Sequence, residues 1–235
     1  MKRRSLLAPL CALPPASCQG ESATVRFKVI ASATVDGRPV ESSSVMEITY
    51  SKVTHSLIGT GGATRLYEEA LICDLGGKGT AYILPLEHPP HASPSQVYED
   101  GILTTFGVKN GIGSLSNSDL AALRTVRGRR LFHLYNTSRL PAFVAFTDEK
   151  SPKTIYEFGQ RNLEAIFPRA RFIGLDIEVT SEPITKKLTQ RLPRVSTPNN
   201  VIVFGRDPPG HMRPDRELPI GFLISQGDFF GDGIR

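Results

Sequence analysis

Cysteine is scarce in this chain of 235 residues, with only Cys11, Cys18 and Cys73 present. There is no C-x-x-C pair and no Cys-rich framework, which excludes a disulfide scaffold and argues against a structural zinc site. Beyond the first segment no apolar run approaches 18 residues, so nothing later reads as a membrane-spanning helix. Internal repeats and low-complexity tracts are absent too, which excludes a repeat array. Charge of one sign is also lacking once the ends are separated. The chain carries 28 Lys and Arg against 23 Asp and Glu, but Lys2, Arg3 and Arg4 lie within the first 17 residues, and these hold no acid. Without them the balance is 25 against 23, or +2, which is not the basic bias of a nucleic-acid-binding domain.

What is present begins with "MKRRSLLAPLCALPPASCQGE". The three basic residues form an n-region, and Leu6 to Leu13 is an apolar run of eight, too short to span a bilayer but suited to a signal-peptide core. Pro14-Pro15 then breaks any helix. Ala16-Ser17-Cys18 resembles the lipobox of bacterial lipoproteins, whose cysteine is diacylated and becomes residue one. Pro15 departs from that pattern, which usually has Leu there, yet cutting after Ala16 or Ser17 by the ordinary signal peptidase would put proline at −3. Cys18 is therefore expected to carry lipid, and residues 1–17 to be a leader. Gln19, rather than Asp, follows the cysteine, and the resemblance then implies the outer membrane, facing the periplasm. The alternatives are a secreted or soluble periplasmic protein, in which Cys18 and Cys73 could pair, and a cytosolic one whose true start lies downstream. Cys73 itself, in "ALICDL", reads as a small buried hydrophobe.

The body, 40% hydrophobic and 22% charged, has a globular composition. "TVRFKVI" alternates Val25, Phe27 and Val29 with polar residues, a half-buried strand. "VDGRPV" supplies an Asp36-Gly37 turn, and "VMEITY" a second alternating strand with Met46, Ile48 and Tyr50 inward, so a hairpin is expected. "ALICDL", "GGKG" and "TAYILPL" make another hairpin, whose arms are apolar on both faces and are placed centrally in the sheet. Residues 85–114 read as a connection. "SNSDLAALRTVRG" reads as a helix capped by Ser118 and stopped at Gly128. "LPAFVAF" is a strand and "RNLEAIFP" a short helix. "RFIGLDIEVT" is a strand with Leu175 and Ile177 inward and Asp176 and Glu178 in solvent. "PITKKLTQRL" reads as a basic amphipathic helix.

"GRPVESSSVMEITY", "LPAFVAFTDEKSPKTIYEF" and "LEAIFPRARFIGLDIEVTSEPITKKLTQRLP" together resemble an uncharacterised family of proteobacterial lipoprotein-like proteins, over about residues 24–193. Those proteins commonly place Trp after the final Leu-Pro, where this chain has Arg194. The resemblance implies a common fold and brings no activity or site residues.

Several constellations bear on chemistry. "LEHPPH" offers Glu87, His88 and His91, types that bind zinc, but Pro89-Pro90 favours polyproline II at about 3.1 Å per residue, which separates the two histidine backbones and leaves a shared ion without preorganisation. Asp176 and Glu178 share a strand face with Cα atoms about 7 Å apart, within the span of inverting glycosidase carboxylates. Alternation alone gives the same arrangement. "GTGGAT" and "GGKGT" lack the phosphate-loop spacings and read as turns. "GIGSLSN" lacks the spacing of a nucleophile elbow. Arg124, Arg127, Arg129 and Arg130 lie close to Phe132 and Tyr135, so they are candidates for anion binding, although a helix end with a solvated turn accounts for them equally.

These readings converge on a β-rich α+β domain over residues 18–192, an antiparallel sheet or sandwich with two or three short helices. A Pro- and Gly-rich extension follows over 193–235, with "NVIVF" and "PIGFLIS" as edge strands. The expected role is that of a cell-envelope accessory or binding lipoprotein without chemistry, metal or cofactor of its own. Its partners would be the membrane, through the anchor, and an envelope protein or glycan. The alternatives are a periplasmic hydrolase using His88/His91 or Asp176/Glu178, and a cytosolic, phage-derived nucleic-acid-associated protein.

Overall fold

The alternation of residues 24–30 carries through a long strand, β1 (Ser22–Val35), and its partner β2 (Arg38–His55). Asp36 and Gly37 join them with φ of 51° and 78°. This is the primed turn whose twist matches antiparallel strands, and Asp-Gly is the dipeptide that tolerates it. The register runs from Val35↔Arg38 to Ser22↔Ser51. The computed structural model from which these positions come describes residues 21–55, 59–88, 97–132, 140–196 and 229.

Two antiparallel sheets result. One joins β1 and β2 to β3 (Gly59–Tyr67), β6 (Arg129–Leu131) and β9 (Ala170–Val179), in the order β3-β2-β1-β9-β6. The other contains β4 (Leu71–Asp74), β5 (Thr80–His88), β7 (Leu140–Phe146) and β8 (Ile155–Phe158), in that order. The helices are short: α1 (Val97–Thr105), α2 (Asn117–Leu123), α3 (Leu163–Ile166), α4 (Leu188–Arg191) and α5 (Pro193–Ser196). The fold is thus α+β and β-rich, as expected.

The main core lies between the sheets. Phe27, Val29, Met46, Ile48 and Tyr50 from the first sheet meet Leu71, Cys73, Ile83 and Phe143 from the second, closed by Tyr98 and Ile102 of α1 and Leu120 and Leu123 of α2. A smaller core covers the other face of the second sheet. There Tyr82, Leu84, Ala142 and Val144 pack under Leu188, Leu192, Val195 and Phe229. The first sheet instead turns polar side chains outward, with ion pairs Arg26–Glu47, Lys28–Glu182 and Arg129–Asp176.

Several sequence expectations need correction. "GTGGAT" is strand rather than turn: it pairs with β2 from Glu47↔Tyr67 to His55↔Gly59. Glycine is admitted there because a Cβ on Gly62 would lie 1.6 Å from the Ile112 carbonyl oxygen. The helix after residue 116 is capped by Ser116, not Ser118, in a capping box with Asp119, and it ends at Leu123. Gly128, at φ 86°, instead leads into β6. Helix α1 falls inside the expected connection; Val97, Tyr98, Ile102 and Leu103 bury its inner side. "ALICDL" contributes the edge strand β4, so its two-faced burial comes from layering rather than from a central place in the sheet.

In "PITKKLTQRL" the helix starts only at Leu188. Upstream, the Thr185 N–H donates to the Val45 carbonyl at 3.0 Å, which holds that stretch extended against β2. The buried Glu69 carboxylate accepts from Lys187 N–H at 2.7 Å and Leu188 N–H at 2.9 Å, which sets the helix start from the distant link between β3 and β4. In β9 the pairing with β1 slips between Ser32↔Gly174 and Ala33↔Phe172. This bulge reverses the alternation. Leu175 and Ile177 are inward as expected, but before the bulge Ala170 and Phe172 face the core while Ile173 is 62% exposed.

Candidate functional site

The arginine-rich segment is engaged internally. Arg129 in β6 donates from Nε to Asp176 at 2.8 Å and from a terminal nitrogen to Glu41 at 2.8 Å. Those bonds and the positive charge hold the Glu41 carboxyl below the usual carboxylate range. Arg130 lies over the Phe106 ring, 5.3 Å from its centroid. Arg124 donates to the Ser22 carbonyl at 2.5 Å, and Arg127 to the carbonyls of Arg124 and Val126. The four arginines thus do not converge on one point: Arg124 binds backbone at the start of β1, Arg127 binds backbone just after α2, and Arg129 and Arg130 lie along β6.

Asp176 and Glu178 share the outer face of β9, opposite Ile30 and Lys28 of β1. Asp176 is drawn into the Arg129 ion pair. His88 closes β5, its backbone opposite Leu140, while His91 and Cys18 lie outside the described residues. So do "NVIVF" and "PIGFLIS"; after residue 196 Phe229 alone is described, and it is buried. Cys73 is a buried free thiol, pushed up by burial and approached by the Ser42 hydroxyl. Among the described residues no group of three or more His, Cys, Asp and Glu could hold a metal ion.

The structure instead draws attention to a cleft where the two sheets meet. Residues 41–44 of β2 form one wall, and Glu69, Ala70, Ile72 and Asp74 in and beside β4 the other, with Thr185 and Lys187 closing one side. Its volume is about 370 Å³. A shallower groove shares Glu41, Ser42 and Asp74 with it and runs on past the Asp36-Gly37 turn to Lys78. In the cleft the carboxylates are held: Glu69 by the two N–H groups at α4, Asp74 by the Gly76 N–H at 2.8 Å, and Glu41 by Arg129. Ser44 differs. It is 2% exposed, yet its hydroxyl has no hydrogen-bond partner, an arrangement that costs about 1–3 kcal/mol for a buried polar group.

None of these cleft residues stood out in the sequence, although one signal existed. Ser44 and Ser42 are in phase with Met46, Ile48 and Tyr50, so the same alternation that builds the core carries two hydroxyls onto its inner face. Glu69 gave no such signal, because its partners lie 118 and 119 residues away.

No family model matches the chain, and neither does any curated protein or solved structure.

Proposed function

We propose that the protein is a cell-envelope accessory or binding lipoprotein without catalysis of its own. In this reading it is anchored through Cys18 to the outer membrane, faces the periplasm, and belongs with the lipoprotein-like proteins its sequence resembles. The observation that carries the reading is the distance between the expected anchor and the cleft. Lys52 N–H donates to the Glu21 carbonyl at 3.0 Å, so ordered pairing starts three residues after Cys18, and β1 begins at Ser22. Glu41 pairs with Ser32, ten residues farther along β1, which is about 33 Å at strand rise. An acylated Cys18 would therefore leave room for the cleft to stand clear of the bilayer, open to a periplasmic partner. The ion pair between Asp176 and Arg129 supports a structural role for that carboxylate rather than a hydrolytic one.

The test is to express wild type and Cys18→Ser in a Gram-negative host, label with a fatty-acid probe and fractionate. Label and membrane association in the wild type, both lost in the variant, are the expected outcome. Unlabelled wild type in the periplasm would point to secretion. Protein in the cytosol with its leader intact would sink the envelope assignment.

A further inference from the structure

We propose that Asn110 is a site of spontaneous covalent modification, at which its side-chain amide becomes a carboxylate and the N-cap of α2 loosens. The inference goes beyond the envelope reading and is independent of it. Asn110-Gly111 is the one Asn-Gly pair in the chain. Both residues are exposed, in the irregular link between α1 and the Ile112–Ser114 turn. The backbone does not demand glycine there. Gly111 has φ −73°, open to any residue, and a Cβ on it would meet nothing within 4 Å, unlike one on Gly62. What glycine contributes is access. Its N–H donates no hydrogen bond among the described residues. The nitrogen is therefore free to lose its proton and to approach the Asn110 side-chain carbonyl, with no Cβ of its own residue in the way.

The reaction balances with water as the only co-reactant. The Gly111 nitrogen bonds to Asn110 Cγ, the Cγ–Nδ2 bond breaks, and ammonia leaves carrying the proton that nitrogen gave up. The product is a cyclic imide. Water then adds to one of its two carbonyls, the ring C–N bond breaks, and the Gly111 N–H is restored beside a new carboxylate. Opening at the side-chain carbonyl gives aspartate at position 110. Opening at the backbone carbonyl gives isoaspartate, whose main chain runs through the former side chain. Nothing is oxidised or reduced.

The fold places this change where α2 registers it. Asn110 Nδ2 donates to Asp119 Oδ2 at 2.7 Å, and the same oxygen accepts from Ser116 N–H at 2.8 Å and Ser116 Oγ at 2.5 Å. Asp119 N–H donates in return to Ser116 Oγ at 3.2 Å, which completes the capping box. The nitrogen expelled as ammonia is the one that Asp119 holds. In its place stands a carboxylate facing a carboxylate, and neighbouring like charges disfavour ionisation of both. Leu120 and Leu123 are buried, so the helix stays docked while its first turn frays.

The experiment incubates the full chain carrying Cys18→Ser in warm, mildly alkaline buffer and maps the mass of the peptide spanning 110–111. The expected result is the mass gain of an amide turned acid at Asn110, faster than at Asn117 or Asn162, and slower in mildly acidic buffer. Gly111→Ala, which the open space admits, should slow the conversion several-fold, and Asn110→Gln should abolish it. Asn110→Asp copies one product. Its urea midpoint should fall below that of the wild type in neutral buffer and converge with it on acidification, with faster amide exchange at Asp119. No conversion at Asn110, or equal rates in the wild type and Gly111→Ala, would overturn the covalent step. A neutral-pH midpoint and Asp119 exchange unchanged by Asn110→Asp would overturn the link to the cap. The wild-type time course stands by itself should a variant fail to fold.

Discussion

The two sheets solve the same problem in opposite ways. The five-stranded sheet has one dry face and one wet face, and its strands alternate: Val25, Phe27 and Val29 are buried while Arg26 and Lys28 reach Glu47 and Glu182 outside. The four-stranded sheet is dry on both faces, with Ile83 and Phe143 on one side and Tyr82, Leu84 and Val144 on the other. A two-faced sheet needs a cover. Here the cover comes from the far end of the chain, through Leu188, Leu192, Val195 and Phe229. The lesson is that an alternating strand announces its own environment, whereas a continuous apolar strand announces only that something else must arrive.

The sharpest test of the shared core is Phe27→Ala. Phe27 is fully buried and its ring centroid lies 6.3 Å from that of Tyr98, so truncation should cost about 3–5 kcal/mol in denaturant unfolding. A much smaller loss would mean that the sheets are not packed across this layer. Leu188→Ala probes the cover. It is fully buried, and its loss should fall toward the lower end of about 2–5 kcal/mol, because the thin outer layer can relax. Faster amide exchange in β5 and β7 than in β1 should accompany it; uniform acceleration would mean that the cover and main core unfold as one unit.

At the rim of the wet sheet, Gly62→Ala places a methyl carbon 1.6 Å from the Ile112 oxygen. The Ile112–Ser114 turn must shift, at about 1–3 kcal/mol, the usual cost of overpacking. A neutral thermal melt would show that this turn does not sit against β3. On the wet face itself, Asp176→Ala breaks the pair with Arg129, whose side chain is 41% exposed. Screened surface pairs contribute about 1 kcal/mol or less, so this change should cost far less than Leu175→Ala; equal costs would erase the distinction between the faces of β9.

The smallest effect is expected at the cap of α2. The Ser116 hydroxyl, joined by Asn110, bonds the Asp119 carboxylate and holds it below the usual carboxylate range. A carboxylate depressed in the folded state stabilises above its unfolded pKa, and that contribution is lost as pH falls through the folded value. Urea midpoints for wild type should therefore exceed those of Asp119→Asn above about pH 5, with the gap closing below about pH 4. A gap that widens on acidification would reverse the assigned shift.

Legibility followed the range of the interactions. The Asp36-Gly37 hairpin, the "GGKG" hairpin and the alternating strand over Met46–Tyr50 were all readable, because each depends on neighbours a few residues away. The glycine-rich β3 was not readable, since its strand character comes from pairing with β2 rather than from its own propensities. The bulge in β9 was hidden for a similar reason: "RFIGLDIEVT" alternates without interruption, and only the mismatch with β1 shows where the pattern reverses. Among the candidate site residues, Arg129 and Asp176 were each visible as charges, but their mutual pairing was not. The cleft went unread altogether, its walls coming from residues 41–44, 69–74 and 185–187.

By itself the sequence determined a β-rich domain with short helices and the tight turn that pairs β1 with β2. Each of these follows from periodicity, composition or backbone preference over a few residues. Tertiary structure alone decided that α4 starts at Leu188, where Glu69 meets two free N–H groups, and that the second sheet is roofed by residues from the chain's end. It alone decided, too, that residues of β2 and β4 line one cleft together. Burial and hydrogen-bond satisfaction act between groups that are close in space, and Glu69 meets its partners 118 and 119 residues along the chain.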